Sequence, residues 1–200
     1  MGHGRLLAVL LVLVLATLSG CGSDESARWK TFPIAVYMDP ALAANPDADA
    51  DFRTAIVFWE SKVGKQLFEY RGTWTGGAPY AGNPVSPSAI FANVVLILNP
   101  WAFPANTVGQ TVVNTDDNKK IEASIIMINP GARYCAGDCL SGGSGPSQRK
   151  LFAHELGHFL GLGHTGSTAD IMFPDLQPGA SLAGVSVDID ALHEATKGGD

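Results

Sequence analysis

A chain of 200 residues suits one domain, or one domain with a targeting segment. Hydrophobic residues make up 46% and charged residues 16%, which is apolar enough for a packed core and excludes a disordered chain. The formal net charge of -6, with no dense basic block, argues against nucleic acid as a partner, and no repeat of fixed period is present.

The chain opens on MGHGR, a short and weakly basic start, and continues as LLAVLLVLVLATL from Leu6 to Leu18. That run is shorter than the about 20 residues a spanning helix needs, and it suits the apolar region of an export signal. LSGC, Leu18 to Cys21, resembles the bacterial lipoprotein box, in which the signal is cut before a cysteine that then carries lipid. An ordinary signal with an incidental cysteine is the other reading. The resemblance implies a signal peptide over 1–20, lipidation at Cys21 and a protein anchored at the bacterial envelope, on the periplasmic face or the cell surface. Residues 21–31 then read as a polar tether, and Gly22 to Thr31 reach about 33–36 Å when fully extended.

FPIAVYM, Phe32 to Met38, is rich in strand formers and ends at a turn in Asp39-Pro40. Asp47 and Asp49 can cap a following helix, along which Phe52, Ile56, Trp59 and Val63 recur at helical spacing beside Ala55. Gly64 is its expected stop, and KQLFEYR, Lys65 to Arg71, is expected as a strand, although periodicity alone allows the helix to run on. Gly72 to Ser88 reads as a long loop. Ala92 to Asn99 is a continuous apolar run, as a strand buried on both faces would be, and Ile121 to Asn129 reads as another buried strand. GQTVVN, Gly109 to Asn114, is shorter and more polar, as an edge strand would be.

Gly131 to Gly145 is a second loop and holds YCAGDC. In an oxidising compartment Cys135 and Cys139 are expected to pair, with Gly137 and Asp138 turning the chain between them; two free thiols are the alternative. A helix is expected from Ser144 to Ser147 onward, with Pro146 in its first turn. A last helix over Val187 to Thr196 carries Ile189, Leu192 and His193.

HELGHFLGLGH, His154 to His164, places three of the five histidines within one stretch. On a helix His154 and His158 are i and i+4, so two imidazoles stand on one face, while Phe152, Leu156 and Phe159 fall on the opposite one. Two such rings are ready zinc ligands, and Glu155 lies beside the metal where a carboxylate can take a proton from water. A straight helix supplies a third ligand poorly. Gly161 permits a helix-ending turn, after which His164 returns to the metal and leaves a fourth position open.

HExxHxxGxxH is the signature of metzincin metalloproteases. The resemblance extends to ADIMFP, where Met172 matches the methionine turn of that group, and to Thr165 after the third histidine, which resembles the matrixin branch. FPIAVYMD, AIVFWESKVGKQLFE, VGQTVV, IEASIIMIN and VSVDIDAL resemble the elements around the matrixin site, so the likeness covers about residues 32–196. It implies an α+β, metzincin-like zincin fold over residues 32–200. That fold is a twisted five-stranded mixed sheet with an active-site helix and a C-terminal helix.

The same resemblance implies a zinc endopeptidase acting on proteins or peptides, with Glu155 as general base, His154, His158 and His164 as ligands and Met172 as a structural residue. The matrixin cysteine-switch propeptide and the extra histidines of a structural zinc site are absent, so one zinc ion is expected. Calcium at the acidic turn of Asp116 and Asp117 is less expected than a solvated turn. A monomer is expected. The competing readings are a zinc-holding, non-proteolytic surface lipoprotein and a zinc hydrolase of a non-peptide amide.

Overall fold

The computed structural model describes residues 27–137, 139, 145–176 and 181–198; the export segment, Cys21 and the start of the tether lie outside them. Alternation builds the first long strand, β2 (Ile34–Met38), whose Ile34, Val36 and Met38 are buried on one face. Asp39 then caps a one-turn helix, α1 (Pro40–Ala43), by accepting from the N–H groups of Ala41 and Leu42, where only a turn is expected from sequence.

Helix α2 (Pro46–Val63) is capped by Asn45 and not by Asp47 or Asp49. The Asn45 side chain accepts from the N–H groups of Asp47 and Ala48, and Pro46 is pre-set for the first turn. The two aspartates lie within that turn instead, where negative charge favours the helix N-terminus. Gly64 ends the helix with a φ of 68°, as expected. Glu60 Oε1 accepts from the N–H groups of Leu67 and Phe68, so the backbone is held by a side chain up to the start of β3 (Phe68–Thr73). That strand therefore begins at Phe68 and not at Lys65.

The remaining long strands are β4 (Val94–Ile97), β5 (Gly109–Thr115) and β6 (Lys120–Ile128). β2 pairs in parallel with β3 and β4, and β4 pairs in parallel with β6. β5 runs antiparallel along β6 and, among the described residues, pairs with β6 alone, so it is an edge strand. Among the described residues the sheet has six strands and not five. The extra one is β1 (Arg28–Trp29), within the stretch that reads as tether, and it pairs in parallel with Lys120 and Ile121 of β6. Trp29 accounts for the docking. Its ring stacks on Phe159 at 5.3 Å, and its indole N–H donates to the Phe159 carbonyl at 2.7 Å.

The apolar runs in β4 and β6 are buried on both faces. Val95, Ile126 and Ile128 belong to the core shared with the helices, whereas Val94, Ile125 and Met127 belong to a second cluster against which Tyr80, Trp101 and Phe103 pack. Helix α3 (Gln148–Phe159) lies in the first core, joined to α2 by the Trp59 indole, which donates to the Ala153 carbonyl at 2.7 Å. Its cap is Ser147, whose hydroxyl accepts from the Lys150 N–H. Pro146 precedes the helix, because the backbone beside it is paired with Cys135 through Cys135 N–H to Pro146 O and Gln148 N–H to Cys135 O. Helix α4 (Ile189–Thr196) starts after its cap, Asp188, and buries Leu192 and Ala195 while His193 stays exposed. Among the described residues no helix is long and apolar enough to cross a membrane.

Candidate active site

The buried face of α3 fixes the orientation of its polar face. Phe152, Leu156 and Phe159 are fully buried, so the side chains at 154 and 158 point the other way. His154 and His158 bring their Nε2 atoms to 3.2 Å, and His164 Nε2 stands 3.1 Å from that of His158. The three ligand atoms all lie within 4.8 Å of one another. His154 Nδ1–H donates to the Ile171 carbonyl at 2.7 Å and His158 Nδ1–H to the Leu162 carbonyl at 2.8 Å. Those bonds fix the tautomer, so on these two rings Nε2 presents a lone pair.

The lone pairs of His154 and His158, turned toward one another at 3.2 Å, repel, and with both rings protonated at Nδ1 neither Nε2 has a proton to bridge them. The donor set therefore fits a shared cation. Burial also keeps the rings neutral, as metal ligands must be. His154 is held down to about 3 and His158 to about 4, chiefly because a charged ring would be desolvated, and His164 is lowered for the same reason.

The third histidine reaches the site because the helix stops where it does. Gly161 takes a φ of 100°, and its N–H donates to the His158 carbonyl while the Leu162 N–H donates to the Gly157 carbonyl. A side chain at 161 would also meet the carbonyl oxygen of Ala27 at 1.9 Å, so this position has no room for one. Met172 lies buried beneath α3, and a Cβ at Gly157 would fall 2.3 Å from its sulfur. The methionine turn is braced by Asp170, whose carboxylate accepts from the Met172 N–H at 2.8 Å, and by the Thr165 N–H, which donates to the Met172 carbonyl. Its preceding residue, Ile171, holds His154.

Glu155 is 4% exposed, and burial pushes its carboxyl up to about 7. The hydroxyl of Thr111, on β5, donates to Glu155 Oε2 at 2.6 Å and opposes that rise. Two hollows meet at His158 and His164. One, of about 400 Å³, is bounded by Val108, Gly109, Glu155 and Leu176; the other, of about 380 Å³, is bounded by Ala27, Thr111, Val113 and Gly161. β5 supplies a wall to both. The Tyr134 hydroxyl donates to the carbonyl of Val108 at 2.6 Å, which fastens the approach to that strand.

Cys135 and Cys139 are joined as a disulfide, and neither lines the hollows that meet at the histidines. Their loop is tied to both helices by Asp51 of α2, which is 2% exposed: its carboxylate accepts from the Gly137 N–H at 2.9 Å and from Arg149 Nε at 2.9 Å. Asp116, considered above for calcium, has Oδ1 accepting from the N–H groups of Asn118 and Lys120 and Oδ2 at 3.1 Å from Lys30 Nζ. Cys21 lies outside the described residues.

Sequence reasoning missed Thr111, Asp170, Asp51 and Tyr134. Only Thr111 had a usable signal, since alternation in GQTVVN puts positions 109, 111 and 113 on one face of β5. The family model described as matrixin matches residues 31–194. No match is found among the curated proteins.

Proposed function

The chain belongs to the matrixin family of zinc metalloproteases, and from that premise we propose that it is an endopeptidase with one zinc site, formed by His154, His158 and His164, and with Glu155 as the general base. The observation that carries this reading is the buried Glu155 carboxylate in the wall of the same hollow as the three imidazoles. A purely zinc-holding scaffold has no use for a desolvated carboxylate at that place.

Zinc bound there supplies Lewis acidity and a nucleophile from water at neutral pH. The chain's own residues do the rest. Glu155 takes the proton of the attacking water and delivers it to the leaving nitrogen, so that one carboxyl serves as base and then as acid. The unpaired edge of β5 receives an extended peptide by strand addition. Antiparallel pairing sets the peptide's C-terminal side toward Val108 and Leu176 and its N-terminal side toward Val113 and Ala27. The cysteine pair, as a disulfide, has no part in nucleophilic chemistry.

Residues 1–20 act as an export signal in this reading, Cys21 carries lipid, and the enzyme works at the bacterial envelope as a monomer. The wild type is expected to fractionate with membranes, whereas Cys21→Ser is not. With no sequence room for a pro-domain between Cys21 and Phe32, the enzyme is competent once exported and folded.

The test of the chemistry is Glu155→Gln in soluble protein starting at Gly22. It is expected to keep its zinc and lose cleavage of a diverse peptide library read by mass spectrometry. Full activity in that variant removes Glu155 from the mechanism. A wild-type protein that cleaves nothing until its N-terminus is trimmed overturns the ungated reading.

A further inference from the structure

We propose that Thr111 is a positioning residue for the Glu155 carboxylate, holding one of its oxygens so that the other is presented to the cleft. This rests on the reading of Glu155 as the proton carrier.

The geometry is specific. Thr111 is 8% exposed, and its hydroxyl has two acceptors within reach: the Glu155 backbone carbonyl at 3.1 Å and Oε2 at 2.6 Å. A hydroxyl has one proton to give. In an α-helix the backbone carbonyl already accepts from the N–H four residues on, and a carboxylate is the stronger acceptor. The proton therefore goes to Oε2. Among the described residues no other side chain hydrogen-bonds to that carboxylate. Oε1 is left facing Gly109, where an added Cβ would come within 2.9 Å of it. Gly109 and Glu155 both line the larger hollow. One oxygen is thus tied to Thr111, and the other, beside Gly109 in the wall of that hollow, is the one the proposal assigns to the water.

The residue that does the tying lies on β5, the strand whose open edge is available to an extended peptide. The base is thereby registered to the substrate-binding strand by a direct hydrogen bond, and not only through its own helix. A carboxylate free to rotate about its side-chain bonds spends part of its time out of line, and misplacement of a reacting group by about 1 Å costs on the order of a hundredfold in rate.

The experiment compares Thr111→Val and Thr111→Ser with wild type on one library-derived peptide, using zinc-loaded protein. Valine keeps the shape and removes the donor; serine keeps the donor and removes the methyl. Thr111→Val is expected to lower kcat by roughly 10- to 100-fold with KM within about twofold, and Thr111→Ser to retain most of the wild-type kcat. Zinc affinity, read by chelator competition without substrate, is expected to stay within about twofold in both, because Thr111 touches no ligand.

A second readout needs no activity. In metal-free protein, Thr111→Val is expected to lower Tm in the wild type and to lower it less in a Glu155→Leu background, where there is no carboxylate to hold. Wild-type kcat in Thr111→Val, or equal Tm losses in both backgrounds, overturns the proposal. Loss of zinc affinity in Thr111→Val also overturns it, since the residue would then be supporting the site as a whole. If Glu155→Gln itself is fully active, the functional reading fails; if it is inert while Thr111→Val is unimpaired, only this inference fails.

Discussion

The indole of Trp29 donates to the carbonyl of Phe159 across 130 residues of sequence, at 2.7 Å, and so fastens the beginning of the described chain to the last residue of the active-site helix. A carbonyl in the last turn has no helical partner of its own. Trp29 satisfies one such carbonyl and covers the Phe159 ring at the same time. Trp29→Phe is expected to cost about 1 kcal/mol, the net worth of one hydrogen bond, and Trp29→Ala about 3–5 kcal/mol through the cavity left behind. Urea unfolding of the soluble protein measures both. Two equally small losses would mean that the ring is not packed there.

His164→Ala leaves HELGH intact and removes one of three donors. Zinc affinity is expected to fall by more than the roughly 10- to 100-fold that follows loss of an outer hydrogen-bonding partner. Peptide cleavage should fall with it. Chelator competition followed by metal analysis after dialysis is the measurement, and unchanged affinity removes His164 from the ligand set.

Asp51 is the buried charge between α2, the cysteine loop and the start of α3. Truncation to Ala leaves the Gly137 N–H and Arg149 Nε without this acceptor, and breaking a buried ion pair costs about 3–5 kcal/mol. Asp51→Asn keeps one acceptor oxygen and is expected to lose less. At about 2–4 °C per kcal/mol for a chain of this size, the difference is readable in Tm. Equal Tm values for Asp51→Ala and wild type would show that the pair does not brace the fold.

The larger hollow beside the histidines has Val108 and Leu176 in its wall, and in the proposed binding mode it would receive the residue on the C-terminal side of the cut. Cleavage before Leu, Ile, Met or Phe is the expected preference. A library profile dominated by Asp, Glu, Lys or Arg at that position contradicts the assignment of this wall.

The metal-holding residues are legible in the sequence because their geometry is local. His154 and His158 are one helical turn apart, and Gly161 needs only its own φ to bring His164 back. The central strands are legible too, because β4 and the second half of β6 are buried on both faces and therefore read as apolar runs. What escapes is set by contacts between distant residues. Thr111 and Glu155 are 44 positions apart, and nothing local to either announces the other. β1 is two residues long, too short for any periodicity, and is recruited by one tryptophan. The misplaced cap of α2 has another cause: Asn45, Asp47 and Asp49 are all competent cap residues, and the choice fell to the one standing before a proline.

The docking of Arg28 and Trp29 on β6 also shortens the proposed tether. Ala27, the first described residue, forms part of the smaller hollow together with His158 and His164. From Ala27 back to Cys21 is six residues, a span of about 20–22 Å at full stretch. Lipid carried at Cys21, as proposed, would be fastened within that radius of Ala27. On the proposed anchoring the blade would work on a short leash, and the upstream arm of a peptide bound in the proposed direction would point toward the hand that holds it.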